Sequence, residues 1–350
     1  MSQILLHPWL QAPEARMGTY NGVETPLSFG DPTGELDALR SGCGVFPLAW
    51  RTRINVSGKD RVRWLHNMVT NNVRDLPVNR GNYNFVLNAQ GRILGDMYIY
   101  NRGESFALET DATQVEALIN AMKRFIIMDK VELTDVSGDS VSIGICGPKA
   151  ESVLAEAGIN AGGMQPLEVR DVGAESIAAT LIRGPEQKPG WFELWFDPNE
   201  AQGLWNLLVK AGSKPVGAEA LEIWRVLHGI PSYGRDIRDR DLPQETEQPQ
   251  ALNFTKGCYI GQEIVERIRS RGQVHRKFTG FAFGDTVPAP GKYDFEGRAL
   301  AEITTLARVP TAEGPRNIGL GYVRREAVAA GPKIALDGIE ATAVDLPFEI

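Results

Sequence analysis

A run of local patterns occurs twice before Lys210, and that repetition limits the architectures open to this chain. In the first pass, Ile54-Asn-Val-Ser57 is β-branched enough for a strand. Gly58-Lys-Asp60 then turns the chain, and Asp60 to Thr70 places Val62, Leu65, Met68 and Val69 on one helical face. A hairpin follows, Asn82 to Leu87 and Ile93 to Tyr100 around Asn88-Ala-Gln-Gly91, then a strand over Phe106 to Glu109, a helix over Ala112 to Phe125 and a strand over Val131 to Val136. In the second pass, Val141 to Ile145 is a strand, Cys146-Gly-Pro-Lys149 a turn like Ser57-Gly-Lys-Asp60, and Ala150 to Ala157 a helix. Phe192-Glu-Leu-Trp-Phe196, Asp197 and a helix to Lys210 mirror Phe106-Ala-Leu-Glu-Thr110, Asp111 and its helix. Each half therefore reads strand, glycine turn, helix, middle strands, strand, acidic N-cap, helix. The fold class this predicts is α+β, with two related split-βαβ (ferredoxin-like) lobes whose helices pack on antiparallel sheets. Accidental recurrence is the competing reading.

The flanking segments are less periodic. Residues 1–30 read as an irregular arm with one short strand, and Glu35 to Ser41 as a short helix ended by Gly42 and Gly44 around Cys43. Glu219 to Gly229 is a helix with Leu221, Trp224, Val226 and Leu227 as its apolar positions. Arg235 to Gln250, with two prolines, dense charge and no aromatic residue, reads as an exposed connection. After Gln273 come short strands between Pro-Gly turns: Lys277 to Phe283, Arg298 to Thr305, Ile318 to Tyr322 and Ile334 to Val344. They predict a small closed β-barrel. The expected domains are a first lobe with its arm (1–137), a second lobe with the charged connection (138–250), a cysteine-containing loop and helix (251–272) and the barrel (273–350), with segments exchanged between the lobes.

With 350 residues the chain can bury more than one core, and no apolar run of about eighteen residues predicts a membrane helix. Met1 to Leu10 lacks a basic n-region, so a signal peptide is not expected. Cys43, Cys146 and Cys258 form no C-x-x-C pair, which argues against a disulfide framework, a zinc site or a self-held iron–sulphur cluster and for a reducing cytoplasm. No metal ligands are expected. A net charge of −7 argues against direct DNA binding, yet Lys256 to Lys277 holds six Lys or Arg against two Glu. That local excess predicts either an anionic ligand or partner, or simply a solvated charged helix face.

Cys258 lies in that stretch, in Lys256-Gly-Cys-Tyr-Ile-Gly-Gln-Glu263. Two glycines can form a tight turn that carries the thiol to the start of a helix over Gln262 to Arg269. There the helix dipole and the nearby cations favour thiolate, the setting of a reactive cysteine. A lone cysteine is also readable as a small buried core residue.

The pattern K-G-C-Y-x-G-Q-E, followed by Glu266-Arg267 and Arg271-Gly-x-x-x-Arg276, resembles the signature of the YgfZ family of folate-binding proteins, relatives of the glycine-cleavage T-protein (aminomethyltransferase). Val56-Ser-Gly-Lys-Asp60, Thr70-Asn-Asn-Val73, Gly91-Arg-Ile93, Arg225 with Gly229-Ile-Pro231, and Leu242-Pro-Gln-Glu245 look like further landmarks of the same family. The resemblance implies a ring of two lobes and a barrel around a channel that holds tetrahydrofolate or a one-carbon-substituted reduced folate. It also implies a role in the upkeep of iron–sulphur enzymes, including tRNA-modifying ones, with those enzymes or their assembly factors as partners.

A reduced folate carries an amide N–H beside an exocyclic amine, a pair that one carboxylate in a dry pocket accepts in bidentate fashion. By resemblance to the T-protein motif G-x-E-x-G-F-E, Glu193 is that carboxylate; read by pattern alone, it is an alternating residue facing outward on a strand. Arg225 is placed to reach the pterin or to stabilise Glu193, and Tyr83 to cover the ring or else to lie in the core. Lys256, Tyr259, Arg267, Arg269 and Arg271 complete the implied folate-binding set, the arginines facing the glutamate tail. Where aminomethyltransferases carry G-G-x-x-D-D, this chain reads Gly91-Arg-Ile-Leu-Gly95-Asp96, leaving one acid. The implied catalytic residues are Cys258 and Asp96. Three readings follow: a tetrahydrofolate-binding accessory protein of iron–sulphur cluster assembly or repair, an aminomethyltransferase, or a non-catalytic scaffold for a tRNA-modifying enzyme.

Overall fold

The computed structural model describes residues 15–272, 274–295, 298–329 and 331–349, with the backbone alone for Arg271, Phe295, Arg298 and Ala299. By contact density the chain forms two compact units: Met1–Asn67, Asn72–Asn84 and Met97–Leu221 in one, and Met68–Asn71, Phe85–Asp96 and Glu222–Ile350 in the other. Among the described residues no helix is long and apolar enough to cross a membrane.

The arm expected to be irregular lies outside the described residues up to 14; beyond that it is a hairpin. Arg16–Tyr20 pairs with Val23–Ser28 through Asn21 and Gly22, both at positive φ (47° and 77°). Asn-Gly accepts that conformation at little cost, and it matches the twist of the flanking strands. The short helix is Pro32–Ser41, and after it comes a strand the pattern did not announce, Gly44–Pro47, buried along its length.

Both lobes repeat one sheet order. In the first, the hairpin strands Gly81–Leu87 and Ile93–Asn101 lie outermost, followed by Phe106–Asp111, Arg51–Ser57 and Glu132–Asp135. In the second, Val169–Ala174 and Ile177–Arg183 take the hairpin's place, Trp191–Phe196 that of the third strand and Val141–Cys146 that of the first. Phe106–Asp111 runs antiparallel to Arg51–Ser57, as Trp191–Phe196 does to Val141–Cys146, which is the split βαβ arrangement with an added edge strand. The fifth place marks the exchange between lobes: beside Val141–Cys146 stands Gly44–Pro47, a strand that precedes the first lobe in sequence.

The helices follow the apolar spacing. Val115–Lys123 buries Val115, Leu118 and Met122, and Ala201–Lys210 buries Ala201, Leu204, Trp205 and Leu208, one face in each case. Asp197 caps its helical segment as expected, accepting from the Asn199 N–H at 2.8 Å. Asp111 does not; its carboxylate accepts from Arg51 instead.

The last sheet has six strands in the order Gly291–Phe295, Arg298–Val309, Arg316–Arg324, Arg276–Phe283, Ile339–Val344, Lys333–Leu336. Tyr293 from one edge strand and Ile334 and Leu336 from the other meet Phe281, Ile303 and Val323 in one cluster, so the sheet curls over its own core. Among the described residues no pairing joins its two edge strands, so the structure shows a curled sheet where a closed barrel was expected. On a second cluster, Phe278, Ile318, Leu320 and Tyr322 pack against Val226 and Leu227 of the helix Ala218–Leu227.

The connection expected to be exposed is largely buried. Asp236, Ile237, Asp241 and Thr246 have no accessible surface. Asp236 accepts from the Ser232 N–H (2.9 Å), Thr304 (2.5 Å) and Thr305 (2.7 Å), while Arg276 reaches Asp241 at 2.6 Å and Arg238 and Arg240 reach Glu302 at 2.9 and 2.6 Å. Charge density signalled solvent exposure, but these charges satisfy one another, which is what lets them leave water.

Candidate functional site

Trp191–Phe196 is an inner strand, paired on one side with Ile177–Arg183 and on the other with Val141–Cys146, and all six of its residues are buried. Glu193 therefore does not face solvent, as the pattern alone allowed; it is 5% exposed. Its Oε1 accepts from the Trp191 indole N–H at 2.8 Å, while Oε2 is buried and has no hydrogen-bond partner. Burial, and secondly the charge of Glu109, push the carboxyl up to about 7; Lys188, Arg51 and the indole N–H pull the other way.

Charged and aromatic groups surround it. Arg51 donates to Glu109 (2.7 Å) and Asp111 (2.7 Å) across the pairing of their strands. Burial alone would raise Glu109, but the Arg51 guanidinium outweighs it and holds that carboxyl below its ordinary value. The Lys188 ammonium stands 4.6 Å from the Trp191 ring centroid and 5.7 Å from that of Tyr98, and burial lowers its pKa. Tyr83, buried, packs its ring 5.0 Å from Tyr98. The result is a polar niche with aromatic walls and one carboxylate oxygen in need of a donor.

The other expected residues lie in the C-terminal unit. Cys258 is exposed, whereas Cys43 and Cys146 are buried; burial pushes the Cys43 thiol up to about 12 and raises that of Cys146 as well. Gly261, at φ 82°, opens the helix Gln262–Arg271 just beyond the thiol loop. The Lys256 ammonium donates to the carbonyls of Val69 (2.5 Å) and Asn71 (2.8 Å) and lies over the ring of Tyr259, 5.0 Å from its centroid. Tyr259 is buried beneath it. Both hold the loop's shape.

Arg225 is likewise committed. It donates to Glu222 (2.7 and 2.9 Å), to Asp236 (2.7 Å) and to the Ile230 carbonyl, fastening its helix to the following turn. These bonds fix the guanidinium between its own helix and the turn that follows it. Arg267 and Arg269 are exposed on the helix, with Arg269 lying 4.4 Å over the ring of Phe254; the side chain of Arg271 lies outside the described residues. Asp96, half-buried, stands on Ile93–Asn101 near Tyr233, whose hydroxyl donates to the Leu94 carbonyl at 2.8 Å. Burial, then Asp96, raise the Tyr233 pKa.

Residues 6–256 match a family described as the GCVT N-terminal domain, which is most of the chain. The chain belongs to the GCVT family. Among its relatives, an aminomethyltransferase of Geobacillus kaustophilus is 27% identical over 343 residues, covering 94% of this chain and 93% of the relative. One of Nostoc sp. is 28% identical over 358 residues, covering 96% and 92%. The solved glycine cleavage system aminomethyltransferase T from Bartonella henselae superposes with a TM-score of 0.84 at 21% identity, covering 96% of this chain and 94% of that one; this is a likeness of fold.

In this GCVT chain the niche around Glu193 includes residues that motif matching passed over: Arg51, Glu109, Asp111, Lys188, Trp191 and Tyr98. One signal was present. Arg51 and Arg53, like Glu109 and Asp111, are charges two apart on strands, the spacing that puts both on one face. For Lys188 there was none, because it lies in an irregular turn. Among the described residues no group of three or more His, Cys, Asp or Glu is arranged to hold a metal ion.

Proposed function

We propose that this chain binds a reduced folate, with Glu193 as the carboxylate that receives the pterin's donors, and transfers a one-carbon unit to or from it in the manner of an aminomethyltransferase. The observation that carries the reading is the buried, unpartnered Oε2 of Glu193. A buried carboxylate oxygen left without a donor costs on the order of 1–3 kcal/mol, a cost that a ligand bearing adjacent N–H groups removes on binding. Tyr83 and Tyr98, in the same unit, offer ring faces. The named aminomethyltransferases among the relatives favour this activity.

Asp96 is the acid assigned to orient the reacting nitrogen. With Gly95 where the family pattern has a second acid, the step relies on Asp96 alone. The test is formation of methylenetetrahydrofolate from an aminomethylated carrier protein. Asp96→Asn should lower the rate by about 10²–10⁴-fold and leave folate affinity within about threefold. No turnover by the wild type would remove the transferase reading.

A second reading, favoured by the exposure of Cys258 within its signature loop, is a folate-binding accessory protein for iron–sulphur enzymes. It predicts that Cys258→Ala fails to restore cluster-dependent enzymes in a deletion strain, whereas the transferase reading predicts full restoration of one-carbon transfer by the same variant.

A further inference from the structure

Lys188 is held in the turn between Ile177–Arg183 and Trp191–Phe196; its N–H donates to the Pro185 carbonyl (2.9 Å) and its carbonyl accepts from the Trp191 N–H (3.3 Å). Its ammonium lies over the face of the indole whose edge N–H binds Glu193. One tryptophan thus fixes a cation on its face and a carboxylate at its rim. Their charges attract, but they form no direct pair: among the described residues the Lys188 ammonium makes no hydrogen bond and no ion pair, and Glu193 Oε2 has no hydrogen-bond partner. An ammonium is a donor without acceptor capacity, and an ionised carboxylate is the reverse. Two such groups, near one ring and each short of a hydrogen-bond partner, match a ligand edge that places N–H donors next to a carbonyl.

We propose that Lys188 and Glu193 jointly read a 2-amino-4-oxo heterocyclic edge, Glu193 taking the amino and ring N–H groups and Lys188 donating to the 4-oxo oxygen, so that Lys188 decides between a 4-oxo and a 4-amino ring. The inference rests on the folate reading and adds to it the residue that sets specificity. In a 2,4-diamino ring the group at position 4 is itself a donor and the neighbouring ring nitrogen carries no hydrogen. Such a ring leaves the ammonium unpaired or must turn over to use Glu193. A site with a fixed donor rejects a ligand lacking the matching acceptor far more strongly than an apolar pocket rejects a size change.

The experiment is titration of the full chain, wild type and Lys188→Met, with tetrahydrofolate and with its 4-amino analogue tetrahydroaminopterin. Wild type should prefer tetrahydrofolate by roughly 10- to 100-fold, the range of one charge-assisted hydrogen bond. Lys188→Met should weaken tetrahydrofolate and spare the analogue, bringing the preference within about threefold, while Lys188→Arg keeps the oxo preference. A preference retained by Lys188→Met, or equal weakening of both ligands, would overturn the role of Lys188 while leaving the folate reading standing. Failure of the wild type to bind either ligand would overturn both.

Discussion

On the proposed reading most of the chemistry turns on Glu193, and its energetics can be checked without a ligand. In the folded chain burial raises its carboxyl from 4.5 to about 7, so the folded state holds the proton more tightly than the unfolded one. The sign follows by linkage: the stability contributed by this group is complete below the unfolded value and is lost as pH rises through about 7. Glu193→Gln cannot ionise. Relative to wild type, it should therefore gain about 2 kcal/mol of stability between about pH 5 and about pH 8, read as the change in urea midpoint at the two pH values. The motif identified this residue, but composition could not say whether a given cation was free. Arg225 and Lys256 were assigned to the ligand by resemblance; in the structure they donate to Asp236 and Glu222 and to the Val69 and Asn71 carbonyls. Among the described residues Lys188, which motif matching passed over, makes no such side-chain bond. Donor satisfaction depends on contacts distant in sequence, so no local pattern carries it.

Among the elements, two segments joined by close packing hold the thiol loop. Gly91, at φ 69° in the hairpin turn, would place a Cβ 2.8 Å from Ile264, and Gly261 at φ 82° would place one 2.6 Å from the Asn88 carbonyl. Both the left-handed backbone and the tight approach exclude a side chain, so the turn and the start of the helix Gln262–Arg271 fit only as glycines. The connection over 230–246 is fixed electrostatically. Arg276 donates to Asp241 (2.6 Å) and Glu245 (3.0 Å), and the Asp241 side chain has no exposure. Arg276→Met should strand that carboxylate and cost about 3 kcal/mol, seen as a lower urea midpoint, with part of the loss recovered when Asp241→Asn is added. Helices and strands with strict periodicity were legible: the hairpin around Asn88–Gly91 and the helices before Lys123 and Lys210 fall where the apolar spacing puts them. Low hydrophobicity misdirected the reading over Arg235 to Gln250, since burial there is achieved by pairing charges and not by apolar side chains.

Across the whole molecule, the internal repeat is the most legible feature, and the sheet orders of the two lobes agree in their first four places. What the repeat could not announce is which strand fills the fifth. Gly44–Pro47, only four residues long, lies beside Val141–Cys146, nearly a hundred positions away in sequence, and such pairing leaves no local trace. Membership in the GCVT family accounts for the architecture; the activity depends on whether the niche at Glu193 takes a pterin. Calorimetric titration with tetrahydrofolate from about pH 6 to about pH 8 asks this most directly. Wild-type affinity should rise about tenfold over that range as Glu193 gives up its proton, and Glu193→Gln should bind more weakly with no such rise. Absence of binding, or a Glu193→Gln variant indistinguishable from wild type at every pH, would contradict the account.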